Sequence, residues 1–139
     1  MYSFGYMEND PHKLRFFSYL SLFSFFMLIL VTADNLLFLF VGWEGVGLLS
    51  YLLINFWYTR ILANHSALKA FYINRVGDLT FQLALILIFN LFNDLSLSTL
   101  SNLFFYLDPN FLILILIFLI CGAVAKSGQF PLHIWLPNA

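Results

Sequence analysis

The stretch Leu36-Leu-Phe-Leu-Phe-Val-Gly-Trp-Glu-Gly-Val-Gly-Leu-Leu-Ser-Tyr-Leu-Leu-Ile-Asn-Phe-Trp57 carries a single charge, Glu44, in an otherwise apolar run. About 22 residues of helix, at about 1.5 Å each, cover roughly 30 Å of hydrocarbon, so the run reads as a membrane crossing. An ionised side chain at that depth costs at least ~3 kcal/mol on insertion scales, so Glu44 needs a partner, a proton or a water-filled cavity. Gly42, Gly45 and Gly47 strip side chains from the helix around it and let another helix or water approach. Two readings of Glu44 stay open: a proton-carrying carboxylate inside a helix bundle, or one half of a structural ion pair.

Composition sets the same class. The 139 residues are 62% hydrophobic, 20% aromatic and only 9% charged. A soluble domain of this size leaves roughly a third of its unfolded area exposed, too much for so apolar a chain. The expected fold is therefore all-α, a polytopic membrane protein. Net charge is -1, which gives no sign of a nucleic-acid partner. Cys121 is the single cysteine and cannot build a disulfide framework. The polar first twelve residues, and an apolar stretch with no small-residue cleavage site after it, give no cleavable signal.

Four crossings are expected, at about 15–32, 36–57, 67–92 and 111–130 or beyond, within a single bundle over 1–139. Glu8 to His12 form a polar loop in which Pro11 blocks backward helix continuation. Ser18, Ser21 and Ser24 recur every third residue in the first crossing and offer a small face for helix packing. Asp34-Asn35 make a tight turn, 58–66 a second loop, and 93–110 a longer one with room for a short surface helix. Lys13, Arg15 and Arg60 fall at one membrane side, and Asp34, Asp94 and Asp108 at the other. The positive-inside tendency then puts the N-terminus in the cytoplasm or the mitochondrial matrix.

The remaining intramembrane charges are candidates for function. Arg75 and Asp78 lie three apart on one helix face, with Gln82 a turn later, and an adjacent Arg and Asp most often neutralise each other. By helical rise, Glu44 lies ~12 Å from one end of its span and Asp78 ~16 Å from the opposite end of its own, so both fall near mid-membrane. Lys126 comes about fifteen residues into the last span and is followed by Gly128 and Pro131, which lacks an N–H. The last helix is therefore expected to be discontinuous near 126–131, a feature transporters use for ion sites. Lys126 reads either as a group that gains and loses a proton at neutral pH or as a lysine snorkelling to the interface. His133, seven residues on, shares its face if the helix resumes, as a relay or as a hydrogen-bonded filler. No Cys/His cluster has metal spacing, no histidine pair could clamp a haem, and no nucleotide-binding fingerprint occurs, so no metal or cofactor is expected.

Several separated strings resemble one family in the right order. They are Gly5-Tyr-Met7 with Asp10-Pro-His12, Tyr19-Leu-Ser-Leu-Phe23, Phe40 to Leu48, Ser50 to Trp57, Asn74-Arg-Val-Gly-Asp78, Gly122-Ala-Val-Ala-Lys-Ser127 with Gln129, and Trp135-Leu-Pro137. The chain is similar to the antiporter-like subunit 5 family of respiratory NADH:ubiquinone oxidoreductase, complex I. That resemblance implies an inverted-repeat fold and proton translocation in the membrane arm, with NADH oxidation and ubiquinone reduction carried out in other subunits. The chain would then act as a subunit of an H⁺-translocating NADH:ubiquinone reductase, with no redox cofactor of its own. It also implies a proton-translocating pair of Glu44 and Lys126, modulated by Arg75 and Asp78. The partners would be other membrane-arm subunits, the polypeptides carrying the rest of subunit 5, and lipids, in a mitochondrial inner or bacterial plasma membrane. Ala125 stands where the family usually has Gly, and Asn138 where Asp is common. The family chain has further crossings on both sides of this stretch, which suggests a subunit encoded in several assembling pieces, or else a truncated chain. Two other expectations stand beside it: a subunit of a multisubunit sodium/proton antiporter, and a structural fragment that moves no protons.

Overall fold

The computed structural model describes residues 1–106 and 108–139. Its helices are α1 (Tyr2–Tyr6), α2 (Lys13–Thr32), α3 (Leu36–Ile54), α4 (Ile61–Phe92), α5 (Leu97–Leu103) and α6 (Pro109–Ser127), with 3₁₀ turns at Phe104–Tyr106 and Leu136–Asn138. Among the described residues there is no strand, only an isolated antiparallel bridge between Asn35 and Ser96. The four helices α2, α3, α4 and α6 are long and apolar enough to cross a membrane.

Local chemistry sets where the helices start and stop. Asn35 caps α3 by accepting the Phe38 N–H at 2.9 Å. Asp108 caps α6 by accepting the Asn110 N–H at 3.2 Å, with Pro109 in the first turn, where its missing N–H costs nothing. Asn93, with φ 56°, ends α4 in the left-handed region, and Gly128, with φ 66°, ends α6 in the same way.

The boundaries differ from those expected in three places. Helix α3 stops at Ile54 rather than running to 57, and Trp57 instead donates its indole N–H to Asp10 at 3.0 Å. Helix α4 begins at Ile61, because 61–66 winds as helix and Ser66 bonds back to the Leu62 carbonyl at 2.8 Å. Its 32 residues span roughly 48 Å, longer than the hydrocarbon, so its polar first turns can stand in the interface. Helix α6 ends at Ser127, and the break expected near 126–131 is a termination, since α-helix does not resume before Ala139. The chain turns back instead, and Trp135 donates to the Ala125 carbonyl at 3.0 Å.

The packing order is α2 on α3, α3 on α4, and α4 on α6. Two ties fix the ends of this row. At one end the Leu36 N–H bonds the Leu95 carbonyl at 2.9 Å and the Leu97 N–H bonds the Asp34 carbonyl at 3.2 Å, joining two polar turns. At the other, Arg15 donates to the Phe56 carbonyl at 3.3 Å and lies over the Phe56 ring at 4.9 Å, beside the Trp57–Asp10 bond.

Lipid tails are as apolar as leucine, so helix association in a bilayer depends on close packing at small residues. Gly77 and Gly122 supply it between α4 and α6: a Cβ on Gly122 would stand 3.1 Å from the Gly77 carbonyl oxygen, and one on Gly77 would collide with the Ala125 methyl. Between α2 and α3 the small residues lie on α3, where a Cβ on Gly42 would meet Leu30 and one on Gly45 would strike the Phe26 ring. The serine face expected to pack is turned away: Ser18, Ser21 and Ser24 are exposed, and α2 buries no residue. A buried cluster of Leu36, Phe81, Leu85, Ile88, Leu100 and Ile115 fills the bundle between α3, α4, α5 and α6.

Candidate functional site

Helix α3 presents two successive residues in different directions, because neighbours on a helix stand about 100° apart. Trp43 turns inward. It stacks on Phe81 of α4 with centroids 5.1 Å apart and planes 7° from parallel, and its indole N–H donates to Asp78 Oδ1 at 2.8 Å. Glu44 turns to the groove between α3 and α4, where Arg75 reaches it at 2.6 Å. The Arg75 guanidinium also lies 5.6 Å from the Phe71 ring centroid.

The neutralising pair of Arg75 with Asp78 is therefore not formed; Arg75 is committed to Glu44 and Asp78 to Trp43. Side-chain length explains the exchange. Asp78 is short and only 5% exposed, so it stays on the inner face of α4 and finds its donor in a half-buried indole. Arg75 is long enough to cross to the next helix, and its side chain is 53% exposed. Arg75–Glu44 is the one ion pair among the described residues.

Lys126 enters from the end of α6. Its Nζ is buried, lies 5.7 Å from the Trp43 ring centroid, and has no hydrogen-bond partner. Gly47 leaves room for it, since a Cβ there would stand 2.5 Å from Nζ. Glu44 and Lys126, the expected proton-translocating pair, make no salt bridge: Glu44 faces the groove with Arg75, while Lys126 meets α3 at Trp43 and Gly47.

A cavity of about 380 Å³ opens beside this group, lined by Phe26, Glu44, Gly47, Asn74, Arg75 and Asp78 among others. At about 30 Å³ per water it has room for roughly ten. Its walls mix apolar side chains with the polar groups of Glu44, Asn74, Arg75 and Asp78; Asn74 is 6% exposed, and its Oδ1 has no partner within the chain.

His133 lies apart from this cavity. Helix α6 does not resume, so His133 does not share the face of Lys126; it is exposed and tilts against Phe130 with centroids 5.6 Å apart. Two members of the site, Trp43 and Asn74, were not singled out from the sequence. The signals were present: a tryptophan in a membrane run needs an acceptor for its single N–H, and Asn74 stands one turn before Asp78 on the same face.

Four membrane-length helices with a cluster of acidic, basic and amide side chains at their junction define an integral membrane protein with a polar, charge-bearing interior. Residues 33–139 match the family described as NADH:quinone oxidoreductase/Mrp antiporter, transmembrane, and the chain belongs to that family. Over its whole length it is 56% identical to NADH-ubiquinone oxidoreductase chain 5 of Chondrus crispus and 54% identical to that of Allomyces macrogynus, covering 22% of each. The chain 5 protein of Dictyostelium discoideum is 52% identical, again over the whole chain. The chain thus spans about a fifth of the length of these curated relatives.

Proposed function

We propose that this chain carries part of a proton path in the membrane arm of an NADH:ubiquinone oxidoreductase. The observation that carries the reading is a cavity within membrane-length helices lined by Glu44, Arg75 and Asp78, with the buried Lys126 ammonium against Gly47 of its lining. Charge is expensive in hydrocarbon, and such groups mark ion and proton pathways. The relatives named as chain 5 of that enzyme support the same reading.

Lys126 is the group that binds and releases the proton, Asp78 is linked to it through their shared neighbour Trp43, and Glu44 holds Arg75 at the cavity mouth. Arg75 stands one helical turn from Asp78, so a swing from Glu44 toward Asp78 would change which carboxylate faces the lysine unpaired. Electrostatic coupling of this kind needs no redox group in the chain itself, and NADH oxidation belongs to other subunits. The partners are the other membrane-arm polypeptides and lipid. The membrane is the mitochondrial inner membrane, with the end of the chain that holds Lys13, Arg15 and Arg60 on the matrix side.

Replacing Lys126 with Ala tests this directly. Assembly of the membrane arm should persist while NADH-driven proton uptake falls by about 100-fold, the scale of a lost acid–base group. Unchanged uptake in the assembled variant rejects the reading. The family description also names Mrp antiporters, which favours a second reading as part of a sodium/proton antiporter. Recovery of the chain in a purified NADH-oxidising complex separates the two.

A further inference from the structure

Trp43 makes specific contacts with the acid of α4 and the base of α6, through two parts of one side chain. Its indole N–H donates to Asp78 Oδ1 at 2.8 Å, and its ring centroid stands 5.7 Å from Lys126 Nζ. The orientation of the ring is not free. Phe81 stacks on it at 5.1 Å, and Phe40 stacks on Phe81 at 5.9 Å, both pairs with planes 7° apart. Gly47, one turn along α3 from Trp43, keeps the space beside the ring open for the ammonium.

We propose that Trp43 is a positioning residue that holds Asp78 and Lys126 in register for proton exchange, an inference that rests on the function proposed above. An indole N–H can only donate, so the Asp78 oxygen that meets it must accept. With Oδ1 engaged, Oδ2 is the oxygen that takes and returns a proton: when it takes one from Lys126, the lysine is left as a neutral amine and the aspartate as a neutral acid. The ring face supplies the opposite contact, because its quadrupole attracts an ammonium without offering it a base. The lysine is thus held on the residue that also binds Asp78, with no hydrogen bond of its own, and Nζ has none in the structure. The paired stacking rings carry the indole plane, so movement of α4 against α3 would turn the donor away from Asp78.

Trp43→Phe keeps a stacking ring and removes the N–H. In membranes carrying the assembled oxidoreductase, it should lower NADH-driven proton uptake about tenfold, the scale of one hydrogen bond to a charged group, and move the half-maximal pH of uptake by about one unit. In an Asp78→Ala background the same substitution should add little, because its partner is already gone. A variant that pumps at the wild-type rate with the wild-type pH profile, while Lys126→Ala is inactive, overturns the positioning role and leaves the proton path standing. If Lys126→Ala itself pumps normally, the path fails and the role of Trp43 fails with it. Where Trp43→Phe does not accumulate, ultraviolet resonance Raman of the indole N–H reads the contact in the wild-type and Asp78→Ala chains. Loss of the hydrogen-bonded indole signature in Asp78→Ala supports the proposal, and an unchanged signature overturns it.

Discussion

Asp10 ties two distant parts of the chain through its two carboxylate oxygens. Oδ1 accepts the His12 backbone N–H at 2.8 Å and Oδ2 accepts the Trp57 indole at 3.0 Å. The first of these bonds holds the Asp10 carboxyl below its ordinary value. A depressed carboxylate contributes stability that is present above the unfolded pKa, about 3.9, and is lost as pH falls through the lower folded value. The Trp57 indole proton should therefore keep its hydrogen-bonded NMR shift through neutral and mildly acidic pH and move only below about pH 3.9. Asp10→Asn should make that shift independent of pH. A midpoint above the ordinary aspartate value would contradict the assignment. At the same scale, the charged residues of the interior could be read from the sequence, but their pairing could not. Spacing puts Arg75 and Asp78 on one face of α4, and only the neighbouring helix decides that the long side chain reaches Glu44 while the short one meets Trp43.

The seam between α4 and α6 carries the geometry of the site, because it sets how far Lys126 lies from Asp78. Gly77 sits one residue before Asp78, and Ala125 one before Lys126, so the contact between Gly77 and the Ala125 methyl is next to both functional groups. Gly77→Ala should push the helices apart and cost about 1–3 kcal/mol, as overpacking of a close contact does. Ala125→Gly in the same chain should recover most of that loss, measured by denaturant unfolding of the detergent-solubilised protein. No recovery would show that the two residues do not share the contact. The sequence exposed some of this element's role and hid the rest. The apolar lengths of α2, α3 and α6 and the stop after Lys126 follow from uncharged runs and from Gly128 and Pro131. The early start of α4 at Ile61 does not, because Arg60, Asn64, His65 and Ser66 look like a loop, and only the structure shows 61–66 wound as helical turns. The serine face of α2 misled for the same reason: periodicity identifies a face but not its neighbour.

Across the whole molecule, charge sorts to the two ends of the bundle. Arg15 and Arg60 gather with Asp10 around Phe56 and Trp57 at one end, while Asp34 and Asp94 flank the paired turns at Leu36 and Leu95 at the other. A bilayer laid across α2, α3, α4 and α6 then has loops of opposite sign on its two surfaces, and an excess of Lys and Arg marks the side that is not translocated. Thr59 is exposed in the turn before α4 and Ser101 on the short helix α5 at the other end, and Cys121 is the single native cysteine. In a Cys121→Ala background, Thr59→Cys should react with a membrane-impermeant maleimide only when the matrix surface is open to it, as in inverted inner-membrane vesicles. Ser101→Cys should react only from the opposite surface, in intact mitoplasts. If both cysteines label from one side, the chain crosses the membrane an even number of times between them rather than once through α4, and the orientation inferred from charge falls. If they label from opposite sides in the reverse sense, the crossings stand and the basic end faces outward, which would reverse the surface to which the proposed proton path opens.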